Sequence, residues 1–188
     1  LYVCGSTAES LLLAEDERKK IVETVARQAA GKVTIIVHTG GGGTDAAVRL
    51  SKHARENGAD AISSVPPIYF KYTTEEVIAY YRELIEASDM PLVVYNIPAF
   101  TGINMTQGAA LELFKHPRVV ALKHTNTNVY EKELTAFLES VSLSKPAAGN
   151  SNSNVGSKTG NIIGANTGNV TQTKASADGF AFTTTNFD

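Results

Sequence analysis

Val119-Val120-Ala121-Leu122-Lys123-His124-Thr125 is a strand-like apolar run with a lysine set inside it. Period-two alternation places Val119, Ala121, Lys123 and Thr125 on one face of such a strand. A lysine in a water-poor interior loses part of its preference for the ammonium form, and the free amine that attacks a carbonyl becomes populated. That is the requirement of Schiff-base chemistry. The alternative reading is a lysine at a strand end whose ammonium reaches solvent.

Outward from this run, four more strand candidates precede it: Leu1–Gly5, Val33–His38, Ala61–Val65 and Leu92–Ile97. Amphipathic segments lie between them. Ala14–Ala30 puts Ile21, Val22, Val25 and Ala29 on one face and stops at Gly31, and Thr44–Asn57 stops at Gly58. Thr73-Thr74-Glu75-Glu76 has the form of a capping box before Val77–Ala87, and Thr106–Lys115 and Val129–Ser140 continue the series. Strands recur at roughly thirty residues, the spacing of βα units around a parallel sheet.

Such units build either an open doubly wound sheet or a closed barrel, and no dinucleotide fingerprint is present to favour the former. Gly40-Gly41-Gly42-Gly43-Thr44 lacks the ending of a nucleotide-binding loop and reads as a flexible connection. Polar residues fall at or just beyond the carboxyl ends of different strands: Ser6, Thr7, Tyr69, Tyr95, Lys123 and Thr125. That distribution favours a barrel face. Val93, Tyr95 and Ile97 alternate inward like Lys123, so the Tyr95 phenol can relay a proton beside it or simply fill the barrel. Ser6 and Thr7 offer hydroxyls and N–H groups for a carboxylate, or a cap for the next helix.

The 188 residues are 43% hydrophobic with a net charge of -2, which fits one soluble domain with a core. A pI near 6.1 and the lack of a basic face argue against nucleic acid or an anionic membrane as partner. Cys4 is the single cysteine and reads as a small buried hydrophobe, so neither disulfides nor a cysteine-based metal site are expected. His38, His53, His116 and His124 have no metal-ligand spacing. No stretch is apolar enough to cross a bilayer and no signal peptide is evident, so a cytoplasmic setting is expected. Residues 1–140 carry the βα repeats, whereas Ser144–Ser176 is rich in Ser, Asn, Gly, Thr and Ala and has the composition of a low-complexity segment.

Four ordered runs, Tyr2-Val3-Cys4-Gly5-Ser6-Thr7-Ala8-Glu9, Val65-Pro66-Pro67-Ile68-Tyr69, Val94-Tyr95-Asn96-Ile97-Pro98 and Ala121-Leu122-Lys123-His124-Thr125, resemble the class I pyruvate-dependent aldolases, the dihydrodipicolinate synthase and N-acetylneuraminate lyase family. The resemblance covers roughly residues 1–140. It implies an α/β fold, a (β/α)8 TIM barrel, entered here at what corresponds to the second barrel strand, so that the first βα unit is expected to be lacking. It further implies a pyruvate imine on Lys123, Tyr95 as proton shuttle, Ser6 and Thr7 on the pyruvate carboxylate, and Tyr69 assisting the relay near a subunit contact. A 2-keto acid substrate, no cofactor or metal, and a homotetramer go with it.

Within the family, synthases usually carry an arginine just after Tyr-Asn-x-Pro, and Pro98-Ala99-Phe100-Thr101-Gly102 has none. The resemblance therefore points toward reversible cleavage of N-acetylneuraminate to N-acetylmannosamine and pyruvate, with Thr125 on the sugar-acid portion. Another pyruvate-dependent aldolase of the family, a dihydrodipicolinate synthase or a 2-keto-3-deoxy sugar acid aldolase, is the same-class alternative, and an inactive barrel fragment or ligand-binding relative the different-class one. Two departures stand out. Ala8 replaces a usual glycine, and Ala148-Gly149-Asn150-Ser151-Asn152 lacks the acids of the family's hydroxyl-binding motif. A last strand is expected within 177–187, with Thr183 in the place of a substrate-contacting serine.

Overall fold

The computed structural model describes residues 1–125 and two short strands, Gln172–Thr173 and Phe182–Thr184. The expected helix Val129–Ser140 and the motif at 148–152 lie outside the described residues. Five strands, β1 (Tyr2–Val3), β2 (Ile36–His38), β3 (Ala61–Ser64), β4 (Leu92–Asn96) and β5 (Val119–His124), pair in parallel and in sequence order. The two short segments are β6 (Gln172–Thr173) and β7 (Phe182–Thr184), where β7 pairs parallel to β5 and β6 antiparallel to β7. Strand order never reverses along β1 to β5. A doubly wound sheet has such a reversal. The fold is therefore that of a (β/α)8 barrel, of which the described residues show five consecutive parallel strands.

The crossovers are α1 (Glu15–Ala29), α2 (Thr44–Glu56), α3 (Thr74–Ser88), the short α4 (Pro98–Thr101) and α5 (Gln107–Phe114). The boundaries of α1, α2 and α5 fall within a residue of the sequence expectations, α3 begins three residues before Val77, and α4 was not expected. The capping box at α3 is present in both directions: Glu76 N–H donates to Thr73 Oγ1 at 3.2 Å, and Thr73 N–H donates to the Glu76 carboxylate at 2.7 Å. Pro98 opens α4 and Gly102, at φ 69°, closes it.

Alternation divides the apolar residues into two bodies. Val3, Ile35, Val37, Ile62, Leu92, Val94, Val119 and Leu122 pack with the helices, while Ile36, Ala61, Val93 and Ala121 pack together on the opposite face, with Val120 against them. Farther along that inner face lie Val65, Tyr95 and Ile97, with Tyr2 against both inner groups. The expectation that Val119 shares the face of Ala121 is corrected here. Leu92 pairs with Val119 but Val93 pairs with Ala121, so the register slips by one residue at Val120. This bulge puts Val120 and Ala121 on the same side and turns Val119 toward the helices.

Gly40 is not a flexible link as expected but a close approach. A Cβ there would lie 2.2 Å from Ser64 Oγ and 2.5 Å from the Val65 carbonyl oxygen, so only glycine lets the chain leave β2 against the end of β3. Ala8, in the place of a usual glycine, sits in a short 3-10 turn, Ser6–Ala8, and the positive φ values nearby fall on Cys4 (57°) and Glu9 (51°).

Candidate active site

The inward alternation on the five parallel strands brings Tyr2, His38, Ser63, Tyr95 and Lys123 to the same face near their carboxyl ends. On β4 and β5, Tyr95 and Lys123 are register partners. Lys123 Nζ lies 3.5 Å from the centroid of the Tyr95 ring and 5.4 Å from that of Tyr2. An ammonium over two ring faces is attracted by their quadrupoles, which partly replaces lost hydration. Burial nevertheless dominates and lowers the Lys123 pKa below the ordinary lysine value, with Tyr95 acting in the opposite direction. The lysine is thus half-buried, polarised and closer to its neutral form than a surface lysine.

The Tyr2 phenol donates to Ser63 Oγ at 2.7 Å, and Ser63 Oγ donates to the Val93 carbonyl at 2.9 Å. Burial raises the Tyr2 pKa, so the phenol stays protonated. Its ring meets that of Tyr95 edge to face at 6.1 Å, and a Cβ on Gly5 would come within 2.8 Å of it. Gly5 is required by this packing.

Ser6 and Thr7 lead the 3-10 turn after β1. Ser6 Oγ is 3.5 Å from the Tyr95 hydroxyl, which brings this turn to the lysine cluster, while Thr7 is exposed beside it. The first turn of a helix leaves its leading N–H groups without intrahelical partners, a ready acceptor site for a carboxylate. A cleft of about 210 Å³ opens here, lined by Ser6, Leu11, His38, Val65, Ile97 and Phe100. Ser6 and His38 belong to both this lining and the group around Lys123.

Thr125 N–H donates to the Asn96 carbonyl at 2.8 Å, and its buried Oγ1 has no partner among the described residues. An unpaired buried hydroxyl is costly unless something else supplies its hydrogen bond. Thr183 on β7 takes the register position of Lys123 on β5. Asn96 ties the strand ends together: its side-chain amide donates to His124 Nδ1 at 2.9 Å and Asn104 Oδ1 at 3.2 Å, and its Oδ1 accepts from Met105 N–H at 3.0 Å. His124 lies on the face opposite Lys123, as alternation requires.

Tyr69 is not brought into this group. It is 90% exposed, has φ 85°, stacks edge to face on Phe70 and lines a separate groove of about 460 Å³ with Tyr72, Ile103 and Met105. Phe70, Phe100 and Leu12 are likewise large exposed apolar side chains.

Three contributors escaped sequence reasoning: Tyr2, His38 and Arg18. Tyr2 and His38 occupy the inward phase set by Ile36 and Tyr95. Arg18 stands at the helical spacing of Val22, Val25 and Ala29, which marks it as a buried position of α1. Its Nη2 donates to the His38 carbonyl at 2.9 Å. Burial lowers its pKa, with Cys4, Tyr80 and Glu15 acting in the opposite direction. No group of three or more potential metal-ligating side chains occurs among the described residues, and none of their helices is long and apolar enough to cross a membrane.

Comparison with known proteins follows the same pattern. The Dihydrodipicolinate synthetase family profile matches residues 1–143. N-acetylneuraminate lyase of Rhizobium meliloti (strain 1021) is 42% identical over 133 residues, which is 71% of this chain and 44% of that protein. Among solved structures, CdNal from Clostridium difficile in complex with mannosamine superposes with a TM-score of 0.70 at 35% identity, over 73% of this chain and 48% of that one. Dihydrodipicolinate synthase from Aquifex aeolicus superposes with a TM-score of 0.69 at 32% identity, over 73% and 47%. The chain spans about half the length of the relatives it matches.

Proposed function

Since the chain belongs to the Dihydrodipicolinate synthetase family, we propose that it is a Schiff-base aldolase in which Lys123 forms an imine with pyruvate. The observation that carries this reading is Lys123 itself, half-buried, depressed in pKa and in register with Tyr95. The neutral amine attacks the keto carbon to give a carbinolamine, which loses water to leave the imine. Protonated, that imine draws the electron pair of the breaking C–C bond into an enamine. Tyr95 shuttles protons in these steps, and the Ser6 and Thr7 turn receives the carboxylate. An electron sink of this kind makes no demand for a metal or organic cofactor.

The favoured substrate is N-acetylneuraminate, cleaved reversibly to N-acetylmannosamine and pyruvate. Relatives named as N-acetylneuraminate lyases support it, as does the absence of an arginine after Tyr95-Asn96-Ile97-Pro98. Thr125, with its unpaired buried hydroxyl, and Thr183 are then sugar-acid contacts. In this reading the enzyme is a cytoplasmic homotetramer. The exposure of the apolar Leu12, Tyr69, Phe70 and Phe100 side chains supports assembly, with Tyr69 serving a neighbouring subunit's relay rather than its own.

Incubation with pyruvate and borohydride, followed by peptide mass spectrometry, tests the chemistry. A reduced adduct on Lys123 that disappears in Lys123→Ala is expected. Wild-type chain that gains no adduct at saturating pyruvate overturns the proposal. Release of pyruvate from N-acetylneuraminate, compared with 2-keto-3-deoxy sugar acids, then decides the substrate.

A further inference from the structure

His38 has a single tautomer fixed by its neighbours. The Cys4 carbonyl can only accept, so Nδ1, 3.0 Å away, carries the proton. The Val65 N–H can only donate, so Nε2, 3.4 Å away, receives it. From the strand between them, the ring thus ties the end of β1 to the end of β3. Its own carbonyl is held by Arg18 Nη2.

What this ring holds is strained. Cys4 has φ 57°, a left-handed conformation that costs a non-glycine residue and persists only where the surroundings over-determine it. The Cys4 carbonyl belongs to the peptide that leads into Gly5, Ser6 and Thr7. Fixing that carbonyl fixes the plane of the Cys4–Gly5 peptide, and with it the direction in which the 3-10 turn leaves β1. Ser6 then arrives 3.5 Å from the Tyr95 hydroxyl.

We propose that His38 is a positioning residue for 2-keto acid capture: its neutral imidazole, donating to the Cys4 carbonyl, holds the Gly5-Ser6-Thr7 turn in its carboxylate-receiving conformation. The role is exerted through Cys4 and not on the reacting atoms, and it rests on the pyruvate-imine reading above. Neutrality is supported by the surroundings, since the ring is buried and Arg18 and Lys123 both bring positive charge toward it.

Two substitutions separate this role from simple packing. His38→Asn keeps a side-chain N–H at the place of Nδ1, whereas His38→Leu removes it. On the full chain, the pyruvate concentration for half-maximal borohydride trapping at Lys123 and the amide hydrogen exchange of peptides spanning residues 3–9 are measured together. His38→Leu is expected to raise the half-maximal concentration roughly tenfold at unchanged final adduct yield and to speed exchange of the turn by a similar factor. His38→Asn is expected to restore both to within about twofold of wild type. Unchanged trapping and exchange in a folded His38→Leu chain overturn the proposal, as does a His38→Asn chain impaired equally with it. If His38→Leu does not fold, His38→Gln replaces it: Gln impaired and Asn intact supports the role, and the reverse overturns it. A wild-type chain that forms no adduct defeats the imine reading alone, and the exchange comparison then decides whether His38 orders the turn.

Discussion

Tyr95 and Lys123 occupy paired positions on neighbouring parallel strands, with the lysine nitrogen 3.5 Å from the centre of the tyrosine ring. The ring therefore has two separable properties at this site. Its face stabilises the ammonium, and its hydroxyl reaches toward Ser6. Tyr95→Phe keeps the first and deletes the second. Pyruvate should still be trapped on Lys123 in this variant, while turnover falls by about 100- to 10,000-fold, the range for loss of a positioned proton-transfer group. Steady-state rates measured beside borohydride trapping check this, and full turnover in Tyr95→Phe would assign the shuttle elsewhere.

The Tyr2–Ser63–Val93 chain makes an energetic prediction. Ser63 is fully buried, and Ser63→Ala leaves the Tyr2 hydroxyl without its acceptor. The expected cost is about 1–3 kcal/mol in urea unfolding. Adding Tyr2→Phe removes the stranded hydroxyl and should recover part of that loss, so the two changes are non-additive. Additive effects would mean that the hydrogen bond contributes nothing.

Acid sensitivity follows from His38. Its pKa falls from 6.5 to about 3 because the ring is buried, with the Arg18 charge the next contribution. The unfolded chain therefore binds a proton that the folded chain refuses between those values. Stability is fully present above pH 6.5 and is lost as pH falls toward 3, by on the order of a few kcal/mol. His124, also lowered by burial, adds in the same direction. Glu15, held down to about 2 by Arg49 and Lys19, loses its contribution only below its ordinary value of 4.5. Thermal melts should show Tm declining between pH 6.5 and 5, ahead of carboxylate titration, and His38→Asn should flatten that decline. A Tm constant over this interval in wild type would contradict the buried neutral imidazole.

The legible part of this chain was its punctuation and its inward lysine. The ends of α1 and α2 followed from the stops at Gly31 and Gly58 and the start of α3 from the capping box at Thr73, and Tyr95 followed from plain alternation along β4. Family motifs then placed Ser6, Thr7, Tyr95 and Lys123 together, and the geometry around Tyr95 brings at least Ser6 and Lys123 to it. Legibility failed where three-dimensional context overrides local pattern. A glycine run reads as slack, yet Gly40 is pressed against Ser64 and Val65 by a strand far away in sequence. Arg18 shares the buried face of α1, but its charge hides that position from an apolar pattern, and its guanidinium rests on the His38 backbone carbonyl. The inward face of Val119 was misread because alternation presumes an uninterrupted ladder, and a bulge leaves no mark in composition.

That bulge at Val120 makes the position of the reactive amine a matter of parity. If the same residues paired without the bulge, the ladder that starts at Leu92 and Val119 would continue with Tyr95 opposite Leu122. The amine would then emerge among the helices and a leucine would enter the lumen. β5 thus carries one residue more than β4 needs over the same span, and by setting that residue aside it keeps its chemistry inside.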